Sequence, residues 1–232
     1  MHKIILVDKN GLEHKLNFFI SPVDSSGIVA LQEAGIEYDL EIDQFQNDTV
    51  VIDGGAGYGE FSIECALKGA MKIYSFEPNP FLTDYLLSNT FDFPQIQVIS
   101  KALWVNSNNS TLYFRPTGTA SASIKEIQFD PDSEQGSDRN TIEISFFDIK
   151  SLVDKILNEH PDHSIVLKLD IEGAEYEIIS YLSETKILAH FSTIYIEYHY
   201  GIQNLRNLLI QSFQEIKVEQ KSNQMGLIRA RK

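Results

Sequence analysis

The amino-acid sequence predicts an α/β fold with a doubly wound, mostly parallel sheet. Apolar, strand-like runs alternate with helical patterns along most of the chain, as in parallel strands joined by crossover helices. One of these runs leads directly into a glycine-rich loop that opens a helix, which is typical of the same fold class. The last two segments, QEIKVEQ and GLIRAR, form an antiparallel hairpin around KSNQM and predict one reversed strand at the edge of the sheet.

The composition indicates one globular domain, with a small accessory segment at most. The chain has 232 residues, of which 43% are hydrophobic and 22% charged, and these values allow a sizeable buried core. Only 19 basic residues face 33 acidic ones, which gives a net charge of −14. Because nucleic acids and anionic membrane surfaces attract lysine and arginine, we expect neither of them as a partner.

Cysteine usage and hydropathy indicate the compartment. Cys65 is the sole cysteine, so one chain can form neither a disulfide nor a thiolate metal site. No apolar stretch approaches the roughly 20 residues of a membrane span, and acidic Asp8 and Glu13 lie where a signal peptide would have its apolar core. The sequence therefore predicts a cytoplasmic protein with a reduced, buried thiol.

Two regions are distinguished along the chain. Residues 1–45 are expected to form an N-terminal hairpin and helix appendage. The Asn10-Gly11 pair between two strand-like runs is a strong hairpin signal, and residues 25–43 follow with a helical pattern. Residues 46–232 are expected to form the main domain.

Within the main domain, local signals predict several element ends. Asn79 and Pro80 are typical of an N-cap and of the first position of a helix, and Gly69 is typical of the residue that follows one. Residues 115–140 are rich in Ser, Thr, Gly, Asp and Pro and predict a long, variable loop. The pattern predicts strands at 50–53, 73–76, 96–103, 141–147, 165–171 and 193–199, and helices at 61–67, 148–158 and about 203–213, with further helices after Pro80 and Gly173.

The stretch VVIDGGAGYGEFSIECALKGAMKIYSFEPN has the order strand, glycine loop, helix, strand, and an acidic residue closes each strand. Asp53 ends the first strand, and Glu77 ends the second one 24 positions later. That separation is close to the roughly 20 residues expected for an acid that binds both hydroxyls of a ribose. An adenosine-containing cofactor is therefore expected here.

The glycine spacing discriminates between cofactors. A dinucleotide fingerprint, G-x-G-x-x-G, counted from Gly55 needs glycine at position 60, where this chain has Glu60. The glycines instead form D-x-G-x-G-x-G. An acid at the start of the helix would repel a pyrophosphate, whereas S-adenosylmethionine carries a sulfonium and an amino acid and has no phosphate. The sequence therefore favours S-adenosylmethionine over NAD.

Each part of this cofactor has expected partners. Glu77 would bond the ribose hydroxyls, Pro78 and Asn79 would flank the adenosine, and Asp53 would act near the methionyl amine or the loop backbone. The adenine would lie near residues 101–103. The expected cofactor-binding residues are Asp53, Gly54, Gly55, Ala56, Gly57, Glu77, Pro78, Asn79 and Ala102.

A second motif, KLDIEGAEYEII, places charged residues at alternate positions where a buried strand ends. Lys168, Asp170 and Glu172 would therefore project to one side as that strand leaves the sheet. The strand TIYIEYH brings Glu197 and His199 to the same edge by the same alternation. Because ligands of such sheets bind at the carboxyl ends of the strands, the sequence predicts a site with several acids, a lysine and a histidine.

The segments VVIDGGAGYGEFS, SFEPNP, KLDIEGAEYEII and IYIEYH, in this order and spacing, resemble the FkbM family of S-adenosylmethionine-dependent methyltransferases. The K-x-D-x-E-G-A-E core is the family-specific part, and the resemblance covers roughly residues 48–199. It implies a seven-stranded Rossmann-like methyltransferase fold and methyl transfer to a hydroxyl of a small-molecule or glycan acceptor, commonly a sugar or a secondary-metabolite scaffold. Residues 1–45 and 115–140 lie outside it, so acceptor specificity is expected there.

Methyl transfer to a hydroxyl needs a group that takes the proton, because an aliphatic hydroxyl holds it about as tightly as water, whose pKa is about 15.7. We expect Asp170 or Glu172 as the base or acceptor-orienting carboxylate, with His199 as the competing base. Lys168 would keep one carboxylate ionised. Alternatively, the carboxylates cap the following helix, and the lysine and histidine are structural. No metal is expected, although Asp170, Glu172, Glu197 and His199 would suit Mg²⁺ or Mn²⁺.

Three alternative functions follow from the same residues. A methyltransferase fold that has lost catalysis would bind the cofactor and act as a binding or regulatory subunit. The chain could also transfer the methyl group to an amine, because an uncharged amine needs less help from the protein in losing its proton after attack. An NAD-dependent oxidoreductase is disfavoured by the glycine count.

Overall fold

The structure is a computed structural model that describes residues 2–22, 24, 28, 45, 47–115, 118–124 and 140–232. The described strands form a central sheet, a smaller second sheet and an N-terminal hairpin. In chain order the strands are β1 (His2–Val7), β2 (Glu13–Phe18), β3 (Thr49–Gly54), β4 (Lys72–Phe76), β5 (Ile96–Ile99), β6 (Ala102–Trp104), β7 (Asn109–Arg115), β8 (Gly118–Ser123), β9 (Asn140–Asp148), β10 (Ser164–Leu169), β11 (Phe191–Tyr198), β12 (Glu215–Gln220) and β13 (Gly226–Arg231), and the helices are α1 (Glu60–Leu67), α2 (Pro80–Thr90), α3 (Ile149–Glu159), α4 (Glu175–Glu184) and α5 (Gln203–Leu209).

The central sheet has seven strands in the order β12-β13-β11-β10-β3-β4-β5. Neighbours from β11 to β5 are parallel, and β13 runs antiparallel to both strands beside it. This confirms the doubly wound, mostly parallel, seven-stranded sheet. The expected position of the reversed strand is wrong, because β13 buries Leu227, Ile228 and Ala230 between β11 and β12, and the mostly exposed β12 forms the edge.

The centre of the sheet is covered on both faces. Val50 and Ile52 of β3 belong to the core cluster that includes α3 and α4, whereas Val51 packs with Phe61 and Cys65 of α1. This explains why the central strands are continuous apolar runs rather than alternating ones. Cys65 is buried and unpaired, as the sequence predicts, and burial raises the pKa of its thiol well above the usual range.

Two predicted helix ends are confirmed. Asn79 is the N-cap of α2, where its side chain accepts a hydrogen bond from the amide of Phe81 at 3.1 Å, and Pro80 is the first residue of the helix. Gly69 has a φ of +101° two residues after the end of α1. Glycine is common just beyond a helix because it adopts this left-handed conformation readily.

The second sheet was not expected. Its order is β6-β9-β7-β8, with β7 antiparallel to β8 and β9 and with β6 parallel to β9. The predicted loop at 115–140 is therefore wrong where β8 lies, and residues 116–117 and 125–139 of it lie outside the described residues. The predicted strand at 96–103 is divided, since β5 joins the central sheet and β6 the second one.

The N-terminal hairpin packs on the main domain. β1 and β2 pair antiparallel, and Leu6 and Phe18 are buried together with Ile63 of α1 and Leu82 of α2. The hairpin prediction is confirmed, whereas the helix predicted at 25–43 lies, apart from one position, outside the described residues. None of the described helices is long and apolar enough to span a membrane.

Candidate active site

The glycine loop between β3 and α1 lies against the end of β10. Gly55 has a φ of +77°, and a Cβ at this position would come within 1.8 Å of the backbone oxygen of Asp170. The amides of Gly55 and Ala56 both donate to the carbonyl of Phe76, at 3.0 and 2.9 Å. Position 55 therefore requires glycine, which tolerates both the positive φ and the close approach.

Glu77 follows β4 and is fixed by the loop. Its Oε2 accepts a hydrogen bond from the amide of Gly57 at 3.0 Å, and its Oε1 accepts one from the amide of Asn79 at 2.8 Å. Burial raises the pKa of Glu77 to about 7, although the two amides favour the ionised form. Each carboxylate oxygen has a further lone pair, so this rigid group can accept two hydrogen bonds from a diol.

One pocket lies where β3, β4 and β10 end. It has about 760 Å³ of empty space, including its open mouth. The structure brings together at this pocket most of the expected side chains and loop residues. The expected residues that line it are Gly55, Gly57, Glu77, Pro78, Ala102, Asp170 and Glu172.

Several residues of the pocket wall are not among those predicted from the sequence. Tyr58 and Glu60 lie within the glycine loop motif, so their position in that motif was a usable signal. Leu112 and Ala122 belong to β7 and β8, and nothing local marked these strands as part of the site. The second sheet thus forms one wall of the pocket.

Lys168 and Asp53 lie beneath the loop and do not line the pocket. Both are buried, and their Nζ and Oδ1 atoms are 3.4 Å apart. Lys168 also donates to the carbonyl of Gly55 at 2.6 Å and lies 3.6 Å from Oδ2 of Asp170. Oδ2 of Asp53 accepts a hydrogen bond from Ser62 at 2.6 Å. This buried cation therefore connects the loop backbone, the end of β3 and a carboxylate of the pocket.

His199 lies just after β11 and is surrounded by carboxylates. Its Nδ1 is 3.2 Å from Oε1 of Glu175, and its Nε2 is 3.3 Å from Oε2 of Glu172 and 4.0 Å from Oε2 of Glu197. Burial by itself lowers the pKa of His199, but the hydrogen bond with Glu175 and the nearby negative charges raise it to about 9. At neutral pH the ring is an imidazolium, which has no lone pair with which to accept a proton.

Asp170 and Glu172 follow β10 and reach the pocket. Burial alone would raise the pKa of Asp170, but Lys168, His199 and a hydrogen bond with Glu197 outweigh it and hold this pKa below its usual range. Burial raises the pKa of Glu172 to about 7, and His199 only partly opposes this rise. The two carboxylates therefore differ at neutral pH, since Asp170 is ionised and Glu172 titrates.

The backbone turn that carries Glu172 is held from several directions. Glu172 has a φ of +52°, which is unusual for a residue with a side chain. Its carbonyl accepts a hydrogen bond from the hydroxyl of Ser123 at 2.8 Å, and the amide of Gly173 donates to Oε2 of Glu175 at 2.8 Å. These contacts hold the backbone at Glu172 and connect it to the second sheet.

Three of these side chains could hold a metal ion. Asp170, Glu172 and His199 each offer one ligand atom, and these atoms lie within 4.8 Å of one another. Carboxylate oxygens suit Mg²⁺ and Mn²⁺, and the imidazole would first have to lose its proton. The expectation that the reaction uses no metal stays a prediction.

Comparison with solved structures gives matches at low identity. An rRNA methylase from Streptococcus thermophilus is 10% identical, with 84% of this chain and 93% of that chain covered and a TM-score of 0.46. A precorrin-6y C5,15-methyltransferase from Geobacter metallireducens is 14% identical, with 89% and 87% covered and a TM-score of 0.40. The fibrillarin of Aeropyrum pernix, with natively bound S-adenosylmethionine, is 13% identical, with 98% and 82% covered and a TM-score of 0.45.

No curated protein sequence matches the chain. The exclusion of nucleic-acid acceptors stays a prediction. The sequence model of the methyltransferase FkbM domain matches residues 53–223, a range that begins at Asp53 and extends beyond His199. By this match the chain belongs to the FkbM family of methyltransferases, with S-adenosylmethionine as its cofactor.

Proposed function

We propose that this chain transfers a methyl group to a hydroxyl of an uncharged small-molecule or glycan acceptor, such as a sugar or a secondary-metabolite scaffold. One observation carries the proposal. A single pocket is bordered by Glu77 and the glycine loop, which suit the cofactor, and by Asp170 and Glu172, which suit the acceptor. A methyl donor and a hydroxyl held together in one pocket need only be aligned and relieved of one proton.

The residues of the pocket fit the cofactor. S-adenosylmethionine supplies the methyl group as an electrophilic carbon bonded to a cationic sulfur. Glu77 has two fixed carboxylate oxygens for the ribose hydroxyls, and hydrogen bonds to a charged group contribute about 1.5–3 kcal/mol. Ala102 and Leu103 offer an apolar wall for the adenine, beside Pro78.

Asp53 and Lys168 act through the loop. Of the two roles considered for Asp53, the contacts favour the loop backbone over direct contact with the methionyl amine, because the side chain is fully buried beneath the loop. Lys168 donates to the Gly55 carbonyl and neutralises Asp53. Both are therefore positioning residues that hold the loop at the distance the cofactor requires.

Glu172 is the group that best suits the removal of the acceptor proton. A general base works best when its pKa is near the operating pH, and the pKa of Glu172 is raised to about 7. Asp170, whose pKa is lowered, stays ionised and accepts a hydrogen bond from the acceptor without keeping the proton. His199 is already protonated at neutral pH, so it stabilises the carboxylate of Glu172 rather than acting as the base.

The charges around the pocket favour an uncharged acceptor. Asp170, Glu172 and Glu197 cluster at this edge of the sheet. Three cations partly offset this charge from outside the pocket: His199 lies 3.3 Å from Glu172, Lys168 lies 3.6 Å from Asp170, and Lys221 lies 3.1 Å from Glu197. Among the described residues that line the pocket there is no lysine, arginine or histidine, so the wall itself stays acidic. An anionic acceptor would be repelled, whereas a polyol would gain hydrogen bonds from the carboxylates.

The test is an acceptor screen with matched variants. The purified chain is incubated with S-adenosylmethionine and a panel of sugars, glycans, hydroxylated metabolites and primary amines, and products are identified by mass spectrometry. We expect a methyl ether, and Glu172→Gln should lower kcat by about 10²–10⁴-fold, the usual contribution of a general base. Glu184→Gln, an exposed substitution at the end of α4, is the control and should leave the rate unchanged.

The other outcomes separate the alternatives. Tight binding of S-adenosylhomocysteine with no turnover on any acceptor would favour a methyltransferase fold that acts as a binding subunit. A methylated amine would favour N-methylation. A methyl ether formed equally fast by Glu172→Gln would refute the role of Glu172 and leave the reaction class intact.

A further inference from the structure

Glu60 carries a buried carboxylate oxygen without a partner. Among the described residues, three buried side-chain atoms have no hydrogen-bond partner, namely Oδ1 of Asp53, Oε2 of Glu60 and Nδ1 of His163. Oδ1 of Asp53 is 3.4 Å from the ammonium of Lys168, and His163 does not line the pocket. Glu60 does line the pocket, so its oxygen is the one of the three that an incoming ligand can reach.

Without a ligand, the buried position of the Glu60 carboxylate is unfavourable in free energy. Burial, together with the charges of Asp53 and Asp170, raises the pKa of Glu60 to about 7, although a hydrogen bond with its own backbone amide favours the ionised form. Lys168 lowers it, but its ammonium is already bonded to the carbonyl of Gly55. A buried polar group that is left unpaired costs about 1–3 kcal/mol, and more if it is charged. The site is therefore incomplete until a cation that can donate a hydrogen bond arrives.

We propose that Glu60 binds the α-ammonium group of S-adenosylmethionine. The cofactor has two cationic centres, and the sulfonium has no N–H with which to satisfy Oε2, whereas the ammonium has three. The glycine loop that positions Glu60 also positions Glu77, so one segment would hold both the ribose and the amino-acid portion of the cofactor. This inference rests on the use of the pocket by S-adenosylmethionine and adds the group that recognises its amino acid.

The same residue would discriminate between cofactors. A carboxylate at the first position of α1 attracts a ligand with an ammonium and repels one with a phosphate. Glu60 occupies the place where a dinucleotide fingerprint has glycine. The presence of glutamate instead of glycine at position 60 therefore gives a physical reason why the pocket would bind a cofactor with an amino-acid portion rather than a dinucleotide.

The test compares two ligands that differ in the amino-acid portion. S-adenosylhomocysteine carries the ammonium, and 5′-methylthioadenosine has the same nucleoside and thioether without it. In calorimetric titrations, Glu60→Gln should weaken the binding of S-adenosylhomocysteine at least about tenfold, equivalent to about 1.4 kcal/mol. The same variant should change the affinity for 5′-methylthioadenosine by no more than about twofold. Glu159→Gln, an exposed substitution outside the pocket, is the matched control and should change neither.

The outcomes distinguish this inference from the proposed function. The role of Glu60 would be overturned if Glu60→Gln weakened the binding of both ligands equally or did not weaken the binding of S-adenosylhomocysteine. The proposed methyltransferase function would then still stand. If the unsubstituted protein binds neither ligand, the function falls together with the inference. A measurement on the unsubstituted protein avoids any folding defect of the variant: the deaminated analogue of S-adenosylhomocysteine should bind at least about tenfold more weakly than the parent ligand.

Discussion

Replacing Gly55 by alanine should disrupt the pocket through one close contact. The new Cβ and the backbone oxygen of Asp170 would have to move apart by about 1.6 Å, from 1.8 Å to the 3.4 Å of ordinary contact. Overpacking of this kind costs about 1–3 kcal/mol, and a side chain at positive φ adds about 1–2 kcal/mol. For a chain of this length a total of about 2–5 kcal/mol lowers Tm by about 4–20 °C.

Gly11 provides a matched control for this substitution. Its φ of +79° is nearly the same as that of Gly55, but a Cβ there would have no atom within 4 Å. Gly11→Ala should therefore cost only the backbone strain, about 1–2 kcal/mol. Thermal unfolding and calorimetric titration with S-adenosylhomocysteine measure both variants. The reasoning is refuted if Gly55→Ala is as stable as Gly11→Ala and binds the ligand as tightly.

Three further predictions concern charge and pH. Lys168→Met should destabilise the protein by about 3–5 kcal/mol, because it leaves Asp53 buried without its cation, and a Tm within about 2 °C of the parent would contradict this. Burial raises the pKa of Glu60, Glu77 and Glu172 from 4.5 to about 7, so the folded state holds these protons more tightly than the unfolded state. The stability that they contribute is complete below pH 4.5 and is lost as the pH rises through about 7, so Tm of the ligand-free protein should fall over this interval in a thermal-unfolding series, and a rise would contradict the assignment. With S-adenosylmethionine saturating, so that cofactor binding by Glu60 and Glu77 does not limit the rate, kcat/KM for the acceptor should rise with pH through a midpoint near 7 and then level off, and Glu172→Gln should abolish this dependence; a rise that persists in the variant would exclude Glu172 as the base.

Local signals predicted the parts of the fold that depend on a few neighbouring residues. The cap at Asn79 depends on its own side chain and the amide of Phe81, and the glycine loop depends on backbone freedom at Gly55. Both are properties of short segments, so they can be inferred from the sequence. The alternation of strands and helices gave the central sheet for the same reason, and the continuous apolar runs matched strands buried on both faces.

The second sheet could not be inferred in this way. β8 has the sequence GTASAS, whose small residues favour a strand only weakly, and its pairing includes Tyr113 opposite Ser123. β7 in turn pairs with β9, which begins at Asn140. Such pairing depends on contacts between residues far apart in the sequence, and no periodicity within either segment reports it.

The protonation states of the site residues could not be inferred from the sequence either. His199 was interpreted as a competing base, but its pKa depends on Glu175, a buried residue of α4 that lies 24 positions earlier in the chain. Lys168 is expected to keep one carboxylate ionised or to be structural, and the fold buries it against Asp53 and the Gly55 carbonyl. In both cases the residue type and its strand position were visible in the sequence, and the partners that set its charge state were not.

The two walls of the pocket belong to different sheets, so substitutions can alter one wall without altering the other. Loops of the central sheet carry Glu77 and the glycine loop. The second sheet supplies Ala102 and Leu103 from β6, and Leu112 and Ala122 from β7 and β8. The Ser123 hydroxyl joins that sheet to Glu172 through a backbone oxygen, which any residue type at 172 would also provide. Substitutions along β7 and β8 can thus change the pocket wall that Leu112 and Ala122 form, while Glu77 and the glycine loop keep their contacts with each other.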